Sequence, residues 1–132
     1  MHEWALAEAV ISSVTEIVEK EGLIEVSEVV ITVGELQQIE LEIFEFALSQ
    51  LKESKLEKTR FQIETQKAKL KCRVCDHRWA LSQENIGEET AEAIHFVPEI
   101  AYVYLRCPTC RSPDFEIVQG RGVWLERVKG LK

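Results

Sequence analysis

Residues 60–75 read Arg60-Phe61-Gln62-Ile63-Glu64-Thr65-Gln66-Lys67-Ala68-Lys69-Leu70-Lys71-Cys72-Arg73-Val74-Cys75. Alternation predicts a strand over Arg60 to Lys71, with Phe61 and Ile63 inward. It runs directly into a C-x2-C pair, so a sheet strand delivers the first half of a cysteine constellation. Upstream, a strand over about Glu25 to Val33 places Val29, Ile31 and Val33 on one face, and Gly34 ends it. A helix from about Ile39 to Lys52 follows, with Ile43, Phe44, Ala47, Leu48 and Leu51 as its apolar stripe. Strand, helix and strand of these lengths fit a crossover unit. Residues 3–21 form an amphipathic helix: Trp4, Ala7, Val10, Ile11, Val14, Ile17 and Val18 recur at three- and four-residue steps, and Gly22 is placed to cap it. No Ser, Thr, Asp or Asn precedes that helix.

Downstream, residues 72–111 hold all four cysteines, two of the three histidines and two of the three prolines. The stretch Gln83 to Glu92 between the cysteine pairs is polar and acidic, with room for one short helix. Phe115 to Val118 and Val123 to Val128 alternate again, split by Gly120-Arg121-Gly122, which predicts a bulge or bend. The expected architecture is therefore α+β: a small mixed sheet with two helices, plus an inserted zinc-ribbon-like four-cysteine module. The two ends of the chain, 1–70 and 112–132, build the body, and residues 71–111 form the insertion.

A chain of 132 residues carries one domain, or one plus a small module. Its 16 Lys+Arg against 23 Asp+Glu leave a net charge of −7. That balance argues against a general nucleic-acid or anionic-membrane binder, which needs a positive footprint. No apolar run approaches the roughly 18 residues of a transmembrane helix. The first Lys is Lys20, and apolar and acidic residues mix before it, unlike a signal peptide. A cytoplasmic protein is the expectation, and cytosolic thiols stay reduced.

The four cysteines then need a reason other than disulfides. Cys72 and Cys75 make one C-x2-C pair and Cys107 and Cys110 another, with 31 residues between. Each pair can form a knuckle giving two thiolates to a tetrahedral ion at about 2.3 Å, and two knuckles close the site, which is the structural kind. Zinc is the default; iron in a rubredoxin-like site uses the same ligands. The other reading, redox or buried cysteines, leaves the second pair unexplained. His77, two residues after Cys75, reads as a solvated or outer-shell histidine, or as a ligand exchanging with a thiolate.

Met1-His2-Glu3 is the second informative feature. The α-amine, the amides of residues 2 and 3 and the His2 imidazole can close chelate rings of the planar nitrogen type that suits Ni(II) or Cu(II). Metal service by the first amides would also account for the missing cap. The plainer reading is an exposed histidine. His95 lies in the apolar setting Glu92 to Pro98; it is either a hydrogen-bonded core histidine or a further ligand to the N-terminal site. Lys67, Lys69, Lys71 and Arg73 alternate along one strand, as a solvated or protective edge face or as a docking face for an acidic partner.

Taken together, these features resemble the HypA family. The resemblance rests on Met1-His2-Glu3 opening a helix, Val33-Gly34-Glu35-Leu36 after the first strand and the two knuckles. Cys110-Arg111-Ser112-Pro113-Asp114-Phe115 leading into Gly120-Arg121-Gly122 completes it. It covers essentially the whole chain, and the segment around Glu92 to Pro98 looks archaeal. It implies an α/β nickel-binding domain over 1–70 and 112–132 and a zinc-binding domain over 71–111. It implies Ni(II) as transient cargo at Met1, His2 and Glu3, with His95 matching a candidate further ligand, and structural Zn(II) at Cys72, Cys75, Cys107 and Cys110. The implied partners are a HypB-type nucleotidase and the [NiFe]-hydrogenase large-subunit precursor. This chain departs from many members in carrying Asp76 and Arg111 where glycine follows each knuckle, and in lacking Pro at the start of the second helix.

The leading functional reading is a non-catalytic nickel carrier in hydrogenase maturation. No nucleophile–base–acid set, phosphate loop or open three-ligand zinc site is apparent. The alternatives are a zinc-ribbon binding module for protein or nucleic acid and a rubredoxin-like electron carrier.

Overall fold

The computed structural model describes residues 2–52, 54–81 and 87–132; the side chains of His2, Ser54 and Pro98 are outside that description. Met1 and residues 83–86 of the expected acidic helix therefore lie outside the described residues. The chain divides into two compact units, one of residues 1–32, 39–64 and 123–132, the other of residues 33–38 and 65–122.

In the first unit, α1 (His2–Glu21) buries Ala7, Val10, Val14 and Val18 along one stripe. Its end is a Schellman cap: Gly22 has φ +65°, Leu23 N–H donates to the Val18 carbonyl at 2.9 Å, and Gly22 N–H to Glu19 at 3.4 Å. Strand β1 (Glu25–Gly34) is buried continuously from Val29 to Gly34. It is the middle strand of a sheet ordered β2-β1-β6, with β2 (Arg60–Gln66) and β6 (Val123–Leu131) flanking it. A strand covered on both faces reads as a near-continuous apolar run, which is why Val30 is buried as well as the expected Val29, Ile31 and Val33. Between β1 and β2, helix α2 (Leu41–Leu51) packs on α1 through Phe44, Ala47 and Leu48. Ile43, expected in that stripe, is 39% exposed.

The second unit contains β3 (Lys69–Cys72), β4 (Arg78–Ala80), α3 (Glu88–Phe96), α4 (Ala101–Tyr104) and β5 (Phe115–Gln119). Its sheet is ordered β4-β3-β5 and both pairings are antiparallel. Leu70, Trp79, Leu81, Ile94, Leu105 and Phe115 fill its core with Leu36 and Ala68.

Two expectations change here. The single strand Arg60 to Lys71 is two strands in two sheets. The break falls at Lys67-Ala68, where Ala68 N–H turns to the Glu35 carboxylate at 2.8 Å instead of a ladder partner. Secondly, the core of the cysteine-bearing unit is not made from residues 71–111 alone. The reason is its wider span: β5 and the 3-10 turn Glu35–Gln37 contribute residues from outside 71–111.

The glycines near this turn are sterically required. A Cβ on Gly34 would meet the Gly120 carbonyl, and one on Gly120, at φ +95°, would meet the Ala68 Cα. Leu36 N–H donates to Gly120 O at 2.8 Å, and Gly122 N–H to the Gln37 side-chain carbonyl at 3.0 Å. Thus Gly34 to Gln37 is stitched to Gly120 and Gly122 by backbone approach.

Candidate metal centre

The first knuckle grows from the end of β3 and the second from the loop after α4. Their backbones repeat one pattern. Cys72 N–H donates to the His77 carbonyl at 2.8 Å, and Asp76 N–H to the Cys72 carbonyl at 3.1 Å. Thirty-five residues on, Cys107 N–H donates to Ser112 at 3.0 Å and Arg111 N–H to Cys107 at 2.9 Å. Asp76 and Arg111 have φ of +63° and +66°. These are the two departures from glycine named above, and a left-handed turn is the conformation that favours glycine.

The four thiols converge. Cys72 and Cys110 sulfurs are 3.5 Å apart, Cys75 and Cys107 3.6 Å, and all four lie within 4.8 Å of one another. An ion bound tetrahedrally at about 2.3 Å would hold sulfurs about 3.8 Å apart, so the donor set fits a closed four-thiolate site. Cys72 and Cys107 are buried, Cys75 and Cys110 exposed, and none is in a disulfide. Val74 and Cys75 N–H groups point at the Cys72 sulfur at 3.3 and 3.5 Å, as suits a thiolate.

The thiols are not equivalent. Burial raises the Cys107 thiol, but Cys110 and Thr109 N–H groups, with the Cys75 and Cys110 thiols, bring it down to about 6. A backbone bond from His77 favours the Cys75 thiolate, yet burial and the other three thiols push it up to about 12. Cys110 is also raised: burial and the Cys72 and Cys107 thiols outweigh the Ser112 backbone bond. Crowded thiols cannot all ionise without a cation.

His77 does not join this cluster; its ring stacks on Trp79 with centroids 5.9 Å apart. Arg73 leaves the expected cationic strand face as well. It sits in the knuckle turn, paired with Asp114 at 2.9 Å. Lys67 precedes β3 and is not on a strand.

Of the N-terminal candidates, Met1 and the His2 side chain are outside the described residues. Glu3 is buried, and its carboxylate accepts the Glu40 N–H at 3.0 Å, at the start of α2. His95 lies near the end of α3 in the second unit, half-buried. Its Nδ1 is 3.1 Å from the Gln37 carbonyl. A carbonyl only accepts, so Nδ1–H is the donor of this bond. An anchored Nδ1–H with Nε2 as donor atom is the usual arrangement of a metal-ligating histidine. Neither bond carries a sequence signature, since each joins a side chain to a backbone group brought near by folding.

Comparison with known proteins places this architecture among relatives. A family model described as "Hydrogenase/urease nickel incorporation, metallochaperone, hypA" matches residues 1–130. The hydrogenase maturation factor HypA of Pyrococcus horikoshii is 42% identical over 132 residues, covering 98% of this chain and 95% of the relative. That of Thermococcus sibiricus is 39% identical over 132 residues, covering 98% and 96%. The solution structure of the Ni metallochaperone HypA from Helicobacter pylori is similar in fold, with TM-score 0.62 and 19% identity, over 98% of this chain and 97% of that one.

Proposed function

Because the chain belongs to the HypA family of hydrogenase/urease nickel-incorporation metallochaperones, we propose that it carries Ni(II) to a [NiFe]-hydrogenase during maturation, without catalysing a reaction itself. The observation that carries this reading is the contrast between two donor sets. The thiols of Cys72, Cys75, Cys107 and Cys110 enclose a position within 4.8 Å of one another. A closed site of that kind suits structural Zn(II), which leaves no coordination position open. Cargo needs a site that also releases.

Nickel therefore belongs with the nitrogen donors. Met1 and His2 supply amine, amide and imidazole, and Glu3 supplies its amide, because its carboxylate is engaged with Glu40. His95 adds a further imidazole through Nε2, the tautomer that its Gln37 bond favours. Planar nitrogen coordination is the preference of Ni(II).

Delivery must be directional, and this chain offers no phosphate loop. A HypB-type nucleotidase is the proposed loading partner, and the [NiFe]-hydrogenase large-subunit precursor the recipient. These partners put the protein in the cytoplasm. Among the described residues no helix is long and apolar enough to cross a membrane.

Nickel calorimetry tests the reading. The native chain should bind one Ni(II), His2→Ala should lose tight binding, and His95→Ala should weaken it. An added N-terminal residue separates an amine-bound site, which is lost, from an amide-bound one, which survives. Unchanged affinity and stoichiometry in His2→Ala would falsify the site.

A further inference from the structure

Cations gather on one face of the second unit's sheet, and the nickel reading uses none of them. Lys71 on β3 is the cross-strand partner of Arg78 on β4, and Lys69 is the partner of Ala80. Antiparallel partners point to the same side, so Lys71 and Arg78 are like charges directly opposite one another, an arrangement that weakens a ladder. Lys71 has some relief from Asp76 at 3.8 Å and from its neighbour Glu116 on β5. Lys69 and Arg78 are exposed and take part in no ion pair among the described residues. This is a local reversal of sign on a chain of net charge −7.

The same two cations line a cavity of about 310 Å³ whose other walls are Leu70, Trp79, Ala80 and Val118. Val118 is 44% exposed there. Lys69 and Arg78 are diagonal neighbours across the ladder, within reach of each other's long side chains. The face thus offers two unpaired positive charges beside an apolar hollow.

We propose that this face docks an acidic, extended segment of a protein partner. One carboxylate of the segment bridges Lys69 and Arg78, with Lys71 adding to the field. An apolar side chain two residues along enters the cavity against Ala80 and Val118. The match is one of spacing: same-side residues of an extended peptide recur about every 6.6 Å, as they do along β3. The apolar walls favour a peptide over a bare anion. Asp76 and Glu116 flank the face and disfavour a polyphosphate chain, whose charges are continuous.

The test uses the full chain with its four-cysteine site loaded with zinc, and a fluorescein-labelled octapeptide alternating Glu and Val. Fluorescence anisotropy should show binding that weakens as salt is raised, because exposed charges are screened. Lys69→Thr and Arg78→Thr should each weaken it, and the double variant on the order of tenfold or more. Thermal melting should be unchanged or higher in Arg78→Thr, since the like-charge pair is relieved. A lysine–valine octapeptide should not bind, and inorganic phosphate or single-stranded DNA should compete poorly. Absence of octapeptide binding by the native chain overturns the proposal. So does unchanged affinity in the double variant, or equal competition by phosphate or DNA. Nickel titration of the same variants should be unaltered, which keeps this outcome separate from that of the nickel site.

Discussion

The Glu3 carboxylate accepts the backbone N–H of Glu40 at 3.0 Å, joining the first turn of α1 to the start of α2. The bond does two things at once. It satisfies an N–H at the start of a helix that has no side-chain cap of its own residue. It also places a negative charge where the α2 dipole favours one. Glu3→Ala should therefore destabilise the first unit by about 1–2 kcal/mol, read from urea unfolding. Glu3→Gln should recover much of that loss. If Glu3 gives nickel only its amide, Glu3→Gln should also leave nickel affinity nearly unchanged in calorimetry.

The His95 ring should be a single tautomer. Nitrogen-15 NMR of the metal-free protein should show the proton on Nδ1, because Gln37 offers only a carbonyl. Nickel should then shift the Nε2 resonance selectively.

Metal loading of the four thiols should release protons. Cys75 and Cys110 both have raised pKa values, Cys75 to about 12, so both are protonated at neutral pH in the metal-free chain. At least two protons should appear per zinc bound, measured with a pH indicator in weak buffer. Proton release means that affinity rises with pH, by about a hundredfold per unit for two protons. The Cys107 thiol, down to about 6, should provide an early thiolate absorbance on titration from acid.

Glycine should improve both knuckles. Asp76 and Arg111 adopt φ of +63° and +66°, a conformation costing an L-residue roughly 1–2 kcal/mol. Asp76→Gly and Arg111→Gly should each raise the melting temperature of the zinc-loaded protein. The gain should be less than the full strain, because glycine also loses more entropy on folding. Asp76→Gly additionally gives up the 3.8 Å pair with Lys71, a small loss at an exposed site.

Periodicity and spacing made several elements legible in the sequence. The Val10, Val14 and Val18 stripe marks α1, Gly22 marks its end, and two C-x2-C pairs mark the four-thiol cluster. Each is a local signal: a helical face, a left-handed cap or a knuckle depends on residues within a few positions of one another. The family, too, was legible from the order of such motifs. What folding alone decided are relations between distant residues. Nothing along Arg60 to Lys71 announces that the strand breaks at Ala68, because the break is made by the Glu35 carboxylate and the close approach of Gly120. Likewise the chain does not say that Lys71 faces Arg78, since register comes from sheet pairing. Nor does it say that His95 is held by the Gln37 carbonyl, because every residue carries the same backbone acceptor, and only tertiary packing chooses which one a side chain meets.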